Sequence, residues 1–434
     1  MAVLLGWIFL LMLVAPLLGV QWFNPGDFEY REAMYYHGIG ISAWMLLILV
    51  SARLMLKPLG SKATTAINFG SVTAGFLAGV GGALIRQEGV SQGTAVMTIG
   101  MILADITAWI VIALLARDTW LSGGRVNKLL ERSTLIVALI SMSLATPLGH
   151  LAGMVQDFSG NFPLFTLHVA IIGAKADDVL NGYIGSHSHE VLAAFFAAVL
   201  VIPIINDFRE RKPWQRDVEK IGLIIILIAT VAQTALYQYS AWFVWQPPTL
   251  FASGPNGMPL DDVILTIFGI GMLLLLPMFL PIMTEKTTKA IASYEPSIRT
   301  ALAFLFITFL VSIVSLGIYI EFHEGFFGGG EGNAPGVVND LAFIRGHLLF
   351  GFMILPTLFV GLLCLKGQVQ KKVSNLASWI AIFTALLGSA GMYFWTFHLD
   401  ATLMKWCYSA ALIALVVMIY ELWRSSRSGF KLVR

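Results

Sequence analysis

Apolar runs of about 20 residues, each closed by polar or charged positions, recur along almost the whole chain, and they restrict its fold more than any motif does. A helix of about that length crosses a hydrocarbon core of about 30 Å. The runs fall at 2–20, 34–56, 65–86, 93–116, 133–156, 180–205, 219–244, 260–283, 300–321, 340–365, 374–397 and 404–422. Hydrophobic residues make up 57% of the sequence and charged ones 12%, too little polar surface to cover a soluble fold of 434 residues. The alternating ten-residue pattern of a membrane β-barrel is absent from the sequence. These features predict an all-α integral membrane protein, a twelve-helix transmembrane bundle. No linker is long enough to set off a soluble domain, so residues 1–434 read as a single transmembrane domain.

Basic residues give the orientation, because Lys and Arg concentrate in cytoplasmic loops. All of them but Arg31, Arg86, Lys175, Arg345 and Lys405 fall in the even-numbered loops and the C-terminal tail. Both termini are therefore expected in the cytoplasm of a prokaryotic plasma membrane, crossed in many passes. The first apolar run has no positive n-region and no small-residue cleavage site, so it reads as a retained span. The net charge of +2 is then a sum over a topology signal and does not point to nucleic acid. Cys364 and Cys407 lie in or beside predicted spans and suggest neither a disulfide framework nor a thiolate site. Between the fifth and sixth spans, Phe162 to Gly173 reads as a short helix on the outer surface.

All eight histidines fall near the extracytoplasmic face. His37 in the second span, His187 and His189 in the sixth and His347 in the tenth each enter the membrane by one to two turns, on the order of 10 Å. They recur roughly every 150 residues, or every four helices, which suggests pseudo-threefold four-helix units. Each opens a run of small and apolar residues: "HGIGISAWMLL", "HEVLAAFFAAV" and "HLLFGFMIL". His150 reaches a similar depth at the outer end of the fifth span, whereas His168, His323 and His398 fall at or beyond helix ends. Ionisable residues inside a bilayer are rare and point to function. Neutral imidazoles are the usual axial ligands of haem iron, and matched depths on facing helices suit a shared porphyrin. A single interfacial histidine is more simply a hydrogen-bonded headgroup residue. His187, His189 and Glu190, with Asp177 and Asp178 near them, also offer a donor set for zinc, copper or iron, at irregular spacing. Asp105 and Glu190, both inside spans, either relay protons, ligate a metal or are hydrogen-bonded within the bundle.

The twelve spans, the internal termini and the histidines of the second, sixth and tenth helices resemble subunit I of the haem-copper oxidase and nitric oxide reductase superfamily. The resemblance covers the whole chain as topology and a few residues as motif. It implies that His37 and His347 are the two axial ligands of a low-spin haem b. "HSHEV", with His187, His189 and Glu190, is similar to the family's sixth-span metal ligand followed by Glu-Val. Other positions depart. The tenth-span ligand of the high-spin haem is replaced by Arg345, and the seventh span, "GLIIILIATVAQTALYQYSAWFVW", lacks the family's histidine pair. Tyr237 and Tyr239 in that span read as interfacial belt residues. Arg345 fits a haem propionate, which a guanidinium binds bidentately, and equally a salt bridge to Asp340, Glu321 or Glu324.

The resemblance implies one or two haems b and leaves room for a non-haem metal, copper, iron or zinc, at His187, His189 and Glu190, with His150 at a second haem or metal site. The leading expectation is a b-type haem protein in the lipid bilayer, an electron-transfer subunit working with other subunits of a respiratory complex and with quinol. A small-molecule reductase acting on nitric oxide or oxygen is the first alternative. A twelve-helix secondary transporter is the second, although such proteins place their polar residues at the bilayer midplane.

Overall fold

The computed structural model describes residues 61–88, 90–121, 126–157, 162–205, 212–245, 249–250 and 258–278, with position 160 and single positions between 41 and 56 and between 379 and 420. The predicted spans 2–20, 300–321 and 340–365 lie outside the described residues. Helices occupy Ser61–Glu88 (α1), Val90–Trp120 (α2), Val126–Asp157 (α3), Pro163–Ile172 (α4), Ala176–Ile205 (α5), Pro213–Phe243 (α6) and Leu260–Leu275 (α7), the last extended by a 3-10 turn over Leu276–Met278. Five of them, α1, α2, α3, α5 and α6, are long and apolar enough to cross a membrane. Two-residue strands, Thr249–Leu250 (β1) and Met258–Pro259 (β2), pair antiparallel between α6 and α7. The described chain is thus an all-α, multi-pass membrane protein with one minimal ladder. Helix is the expected form, since a segment in lipid must satisfy its backbone polar groups internally.

The chain divides into two compact units. One is Arg31–Asp207 with Pro213–Leu275, and it contains every helix named above. The other is Met1–Tyr30, Phe208–Lys212 and Leu276–Arg434; apart from Lys212 and the 3-10 turn, its described residues are single helical positions between Trp379 and Tyr420.

Within the first unit, α1 and α2 form a hairpin with Gly89 alone between them. Small residues bring their backbones together. A Cβ on Gly100 would lie 2.6 Å from the Ala78 nitrogen, one on Gly81 would lie 2.5 Å from the Met97 nitrogen, and one on Gly70 would strike the Thr107 hydroxyl. In lipid, where apolar burial between helices gains little, such close approach is a main source of helix association.

Helices α3, α5 and α6 pack together. Pro147 lies inside α3, where it supplies no N–H for the carbonyl one turn earlier. The carbonyls beside this defect accept bonds from neighbouring helices, the usual way a membrane protein accommodates an internal proline. At the end of the unit holding the α3 C-terminus, α4 docks against a cluster of Leu148, Ala152, Val155, Phe165, Val179, Tyr183 and Ala241. The sequence-predicted surface helix over 162–173 is present as α4. Pro163 starts it, and Gly173, at φ 71°, ends it by donating its N–H to the Val169 carbonyl at 2.9 Å. Leu164, Leu167 and Ile171 form an exposed stripe on its other side. Where α6 ends, Val244 takes the left-handed conformation, φ 52°, that glycine normally supplies; packing against the α4 cluster holds this β-branched residue there.

Candidate functional site

The site is built around Glu190, which lies well inside α5 and is 1% exposed. Ser141 of α3 donates to its Oε1 at 3.2 Å, and Gln238 of α6 donates to its Oε2 at 2.8 Å. The second amide proton of Gln238 reaches the Leu144 carbonyl at 3.1 Å, one of the carbonyls beside Pro147. The Gln238 carbonyl oxygen accepts from the Trp242 indole at 3.1 Å. One glutamine thereby joins the carboxyl, the α3 kink and an aromatic residue at the end of α6.

Thr234 adds chemical freedom. Its hydroxyl lies 2.7 Å from Ser141 Oγ and 2.8 Å from the Thr230 carbonyl, with a single proton to give. When Glu190 is ionised, Thr234 donates to Ser141 and Ser141 donates to Glu190. When Glu190 is protonated, the order reverses: the acid donates to Ser141, Ser141 to Thr234, and Thr234 to the Thr230 carbonyl. Each state keeps these groups bonded, so the carboxyl can gain or lose a proton without stranding a buried polar group.

His187 and His189 are two residues apart and so point about 200° away from one another around α5. His187 faces α3. Its ring lies against Gly149, where a Cβ would fall 2.5–2.6 Å from three ring atoms, and its Nδ1 donates to the Ala145 carbonyl at 2.9 Å. His150, the neighbour of Gly149, is at the same level and half-buried. His189 is exposed on another side of α5, where its ring stacks on Tyr237 with centroids 5.4 Å apart, and its Nδ1 donates to the Gly185 carbonyl at 2.8 Å. A carbonyl partner fixes the proton on Nδ1 in both residues. A neutral imidazole oriented in this way through Nδ1 binds a metal or haem iron through Nε2.

The structure therefore brings His187 to the level of Glu190 and His150 along the α3 contact, and turns His189 away from them. Among the described residues, no three His, Cys, Asp or Glu side chains converge in a metal-binding group. The donor chemistry of each imidazole fits a haem iron or a metal, with further ligands to come from elsewhere. His37, Arg345 and His347 lie outside the described residues.

Two positions depart from the sequence reading. Tyr237 is 4% exposed beneath His189, so only Tyr239, which is 50% exposed and packed on Phe243 and Trp245, has the character of a belt residue. His168, expected at a helix end, sits within α4 with both nitrogens engaged: Nε2 donates to the Trp242 carbonyl at 2.8 Å and Nδ1 accepts from the Tyr183 hydroxyl. It is a structural residue that ties α4 to α5 and α6.

No protein-family model, curated protein or solved structure matches the chain. The reading of the site rests on its own residues.

Sequence reasoning missed Ser141, Gly149, Thr234 and Gln238. Part of that signal is visible in α6, where Thr230, Gln233, Thr234, Tyr237 and Gln238 recur every three or four residues and so mark one polar face in an apolar span.

Proposed function

We propose that the chain is a b-type haem protein of the prokaryotic plasma membrane, the electron-transfer subunit of a respiratory complex, built as a twelve-span bundle with both termini in the cytoplasm. His37 and His347 are its axial haem ligands, and Arg345 pairs with a propionate. A second redox centre, haem or non-haem metal, takes His189 as its ligand from the sixth span. His187, locked between Gly149 and the Ala145 carbonyl, positions α5 against α3 beside His150.

The observation that supports this reading is the placement of His189: an exposed imidazole inside a membrane span, oriented by the bond from Nδ1 to the Gly185 carbonyl and by the stacked Tyr237 ring. A haem bound there supplies one-electron chemistry; the chain contributes an oriented imidazole, a stacked Tyr237 ring and, on the adjoining face, a carboxyl that exchanges a proton.

Glu190 favours a second reading, reduction of a small molecule such as nitric oxide or oxygen, because such reductions consume protons. The two readings part at the open coordination position that catalysis requires.

Reduced-minus-oxidised optical spectra of the purified full chain test both, with haem quantified. Low-spin bands are expected in the parent protein and are lost in His37→Ala and in His347→Ala. His189→Ala removes a second spectral component that His187→Ala retains. A carbon monoxide shift that depends on His189 selects the reductase. A haem-free parent protein overturns the haem reading.

A further inference from the structure

Several helix hydroxyls in this protein satisfy themselves, while Ser51, Ser71, Thr98, Ser143 and Ser240 each keep a buried hydroxyl oxygen with no hydrogen-bond partner. Thr107, Thr134, Thr146 and Thr230 each donate to the carbonyl four residues earlier, at 2.7–2.9 Å. Ser71 of α1 does not: it is 1% exposed, and its Oγ has no hydrogen-bond partner. Thr98 of α2 likewise has a buried, unpartnered Oγ1, and Asp105 of α2 has a buried, unpartnered Oδ1. Hydrogen bonding within the bundle, the plain alternative for an aspartate in a span, therefore does not account for that oxygen.

The hairpin register places Ser71 and Asp105 at similar heights. Gly70 opposes Thr107 and Gly100 opposes Ala74 and Ala78, so Ser71 stands within about one helical turn of Asp105 in height. At about 100° per residue, Ser71 and Asp105 turn to the same side of the hairpin. Thr98 lies on the Asp105 face of α2, about two turns nearer the Gly89 end. Asp105 is the only charged residue between 63 and 85 of α1 and between 90 and 116 of α2. Lys62, Arg86, Glu88, Arg117 and Asp118 are confined to the hairpin ends. From α3, Lys128, Glu131 and Arg132 belong to its first two turns, and Arg132 shares a pocket with Asp118 at the end of α2. His150 and Asp157, in the last three turns of α3, are its other titratable groups.

A lone carboxylate near the middle of a span, with no cation beside it among the described residues, is several kcal/mol out of balance unless one positive charge joins it. A single carboxylate neutralises one charge and not two. Oxygen-only donors suit a hard cation rather than a transition metal. We propose that Asp105 and Ser71 form a site for one singly charged cation, a proton or a sodium ion, halfway along the α1–α2 hairpin, with Thr98 as a polar step between it and the Gly89 end. The site is separate from the Glu190 network and does not depend on the haem reading.

The test uses the full-length protein in detergent and two readouts. Thermal unfolding is compared in sodium chloride and choline chloride at equal ionic strength, and the infrared band of protonated carboxyl groups is recorded. A sodium occupant raises Tm by several degrees in the parent protein, an effect lost in Asp105→Asn and weakened in Ser71→Ala. A proton occupant gives no sodium effect but a protonated carboxyl band that disappears in Asp105→Asn and shifts in Ser71→Ala. Should Asp105→Asn fail to fold, Ser71→Ala decides alone, through a reduced sodium effect or a shifted band. Equal Tm in both salts, together with a carboxyl band unchanged in the variants, overturns the proposal.

Discussion

Gln238 carries more of the Glu190 site than its size suggests, because every polar atom of its side chain is used. Gln238→Leu strands one carboxyl oxygen and the Trp242 indole at once. Glu190 is buried and Trp242 is exposed, so the expected loss of stability is that of one buried group left unpaired, about 1–3 kcal/mol. Unfolding of the detergent-solubilised protein measures it, and a loss under 0.5 kcal/mol (about the uncertainty of such mutational comparisons) would mean that the bonds are not made. Gly149 gives a sharper test, since a methyl group there collides with the His187 ring. Gly149→Ala is expected to lose about 1–3 kcal/mol by overpacking, and His187→Ala in the same chain to restore part of it. Additive losses would separate the two residues in space. The opposite facing of His187 and His189 was legible from helical periodicity alone. The bonds of Glu190 were not, because Ser141 and Gln238 lie 49 and 48 residues away in sequence and meet it only once α3, α5 and α6 have packed in one register.

At the scale of helices, glycine has opposite meanings in different places. Gly100 is pressed against the α1 backbone, while the space around Gly185 on α5 is open. Gly100→Leu is therefore expected to separate α1 from α2 and remove folded protein, whereas Gly185→Ala is neutral or stabilising by up to about 1 kcal/mol. Yields of monodisperse protein and Tm distinguish the two, and equal damage from both would show that hairpin packing is not what limits stability. Spans were readable as hydrophobic runs because bilayer thickness sets their length: α1, α2, α3 and α5 cover the predicted limits, α6 begins six residues earlier than predicted and ends one residue short, and the run predicted over 260–283 is described as helix only to Leu275, with a 3-10 turn to Met278. Which small residues form a contact face was not readable, since hydrophobicity is high on every side of a buried or lipid-facing span.

For the whole molecule, alternation of spans requires the α1 start, the α3 start and the α6 start to share one side of the membrane, with the α4–α5 junction on the other. In the proposed orientation, drawn from the basic residues, the first set faces the cytoplasm. Cysteines placed singly at Lys62, Lys128 and Lys220, in a chain lacking Cys364 and Cys407, are expected to react with an impermeant thiol reagent only in inside-out vesicles. A cysteine at Asp177 is expected to react in intact cells. Labelling of all four from one side would break the proposed topology.

The one-residue link between α1 and α2 also bears on how the chain enters the membrane during synthesis. Alone, α2 would present an aspartate to lipid near its centre, a penalty of about 2.5–3.5 kcal/mol on the scale of helix insertion. Entering the bilayer as a pair with α1, the segment would leave less of that penalty to α2 alone. Lengthening the link between α1 and α2 is therefore expected to lower the yield of inserted protein.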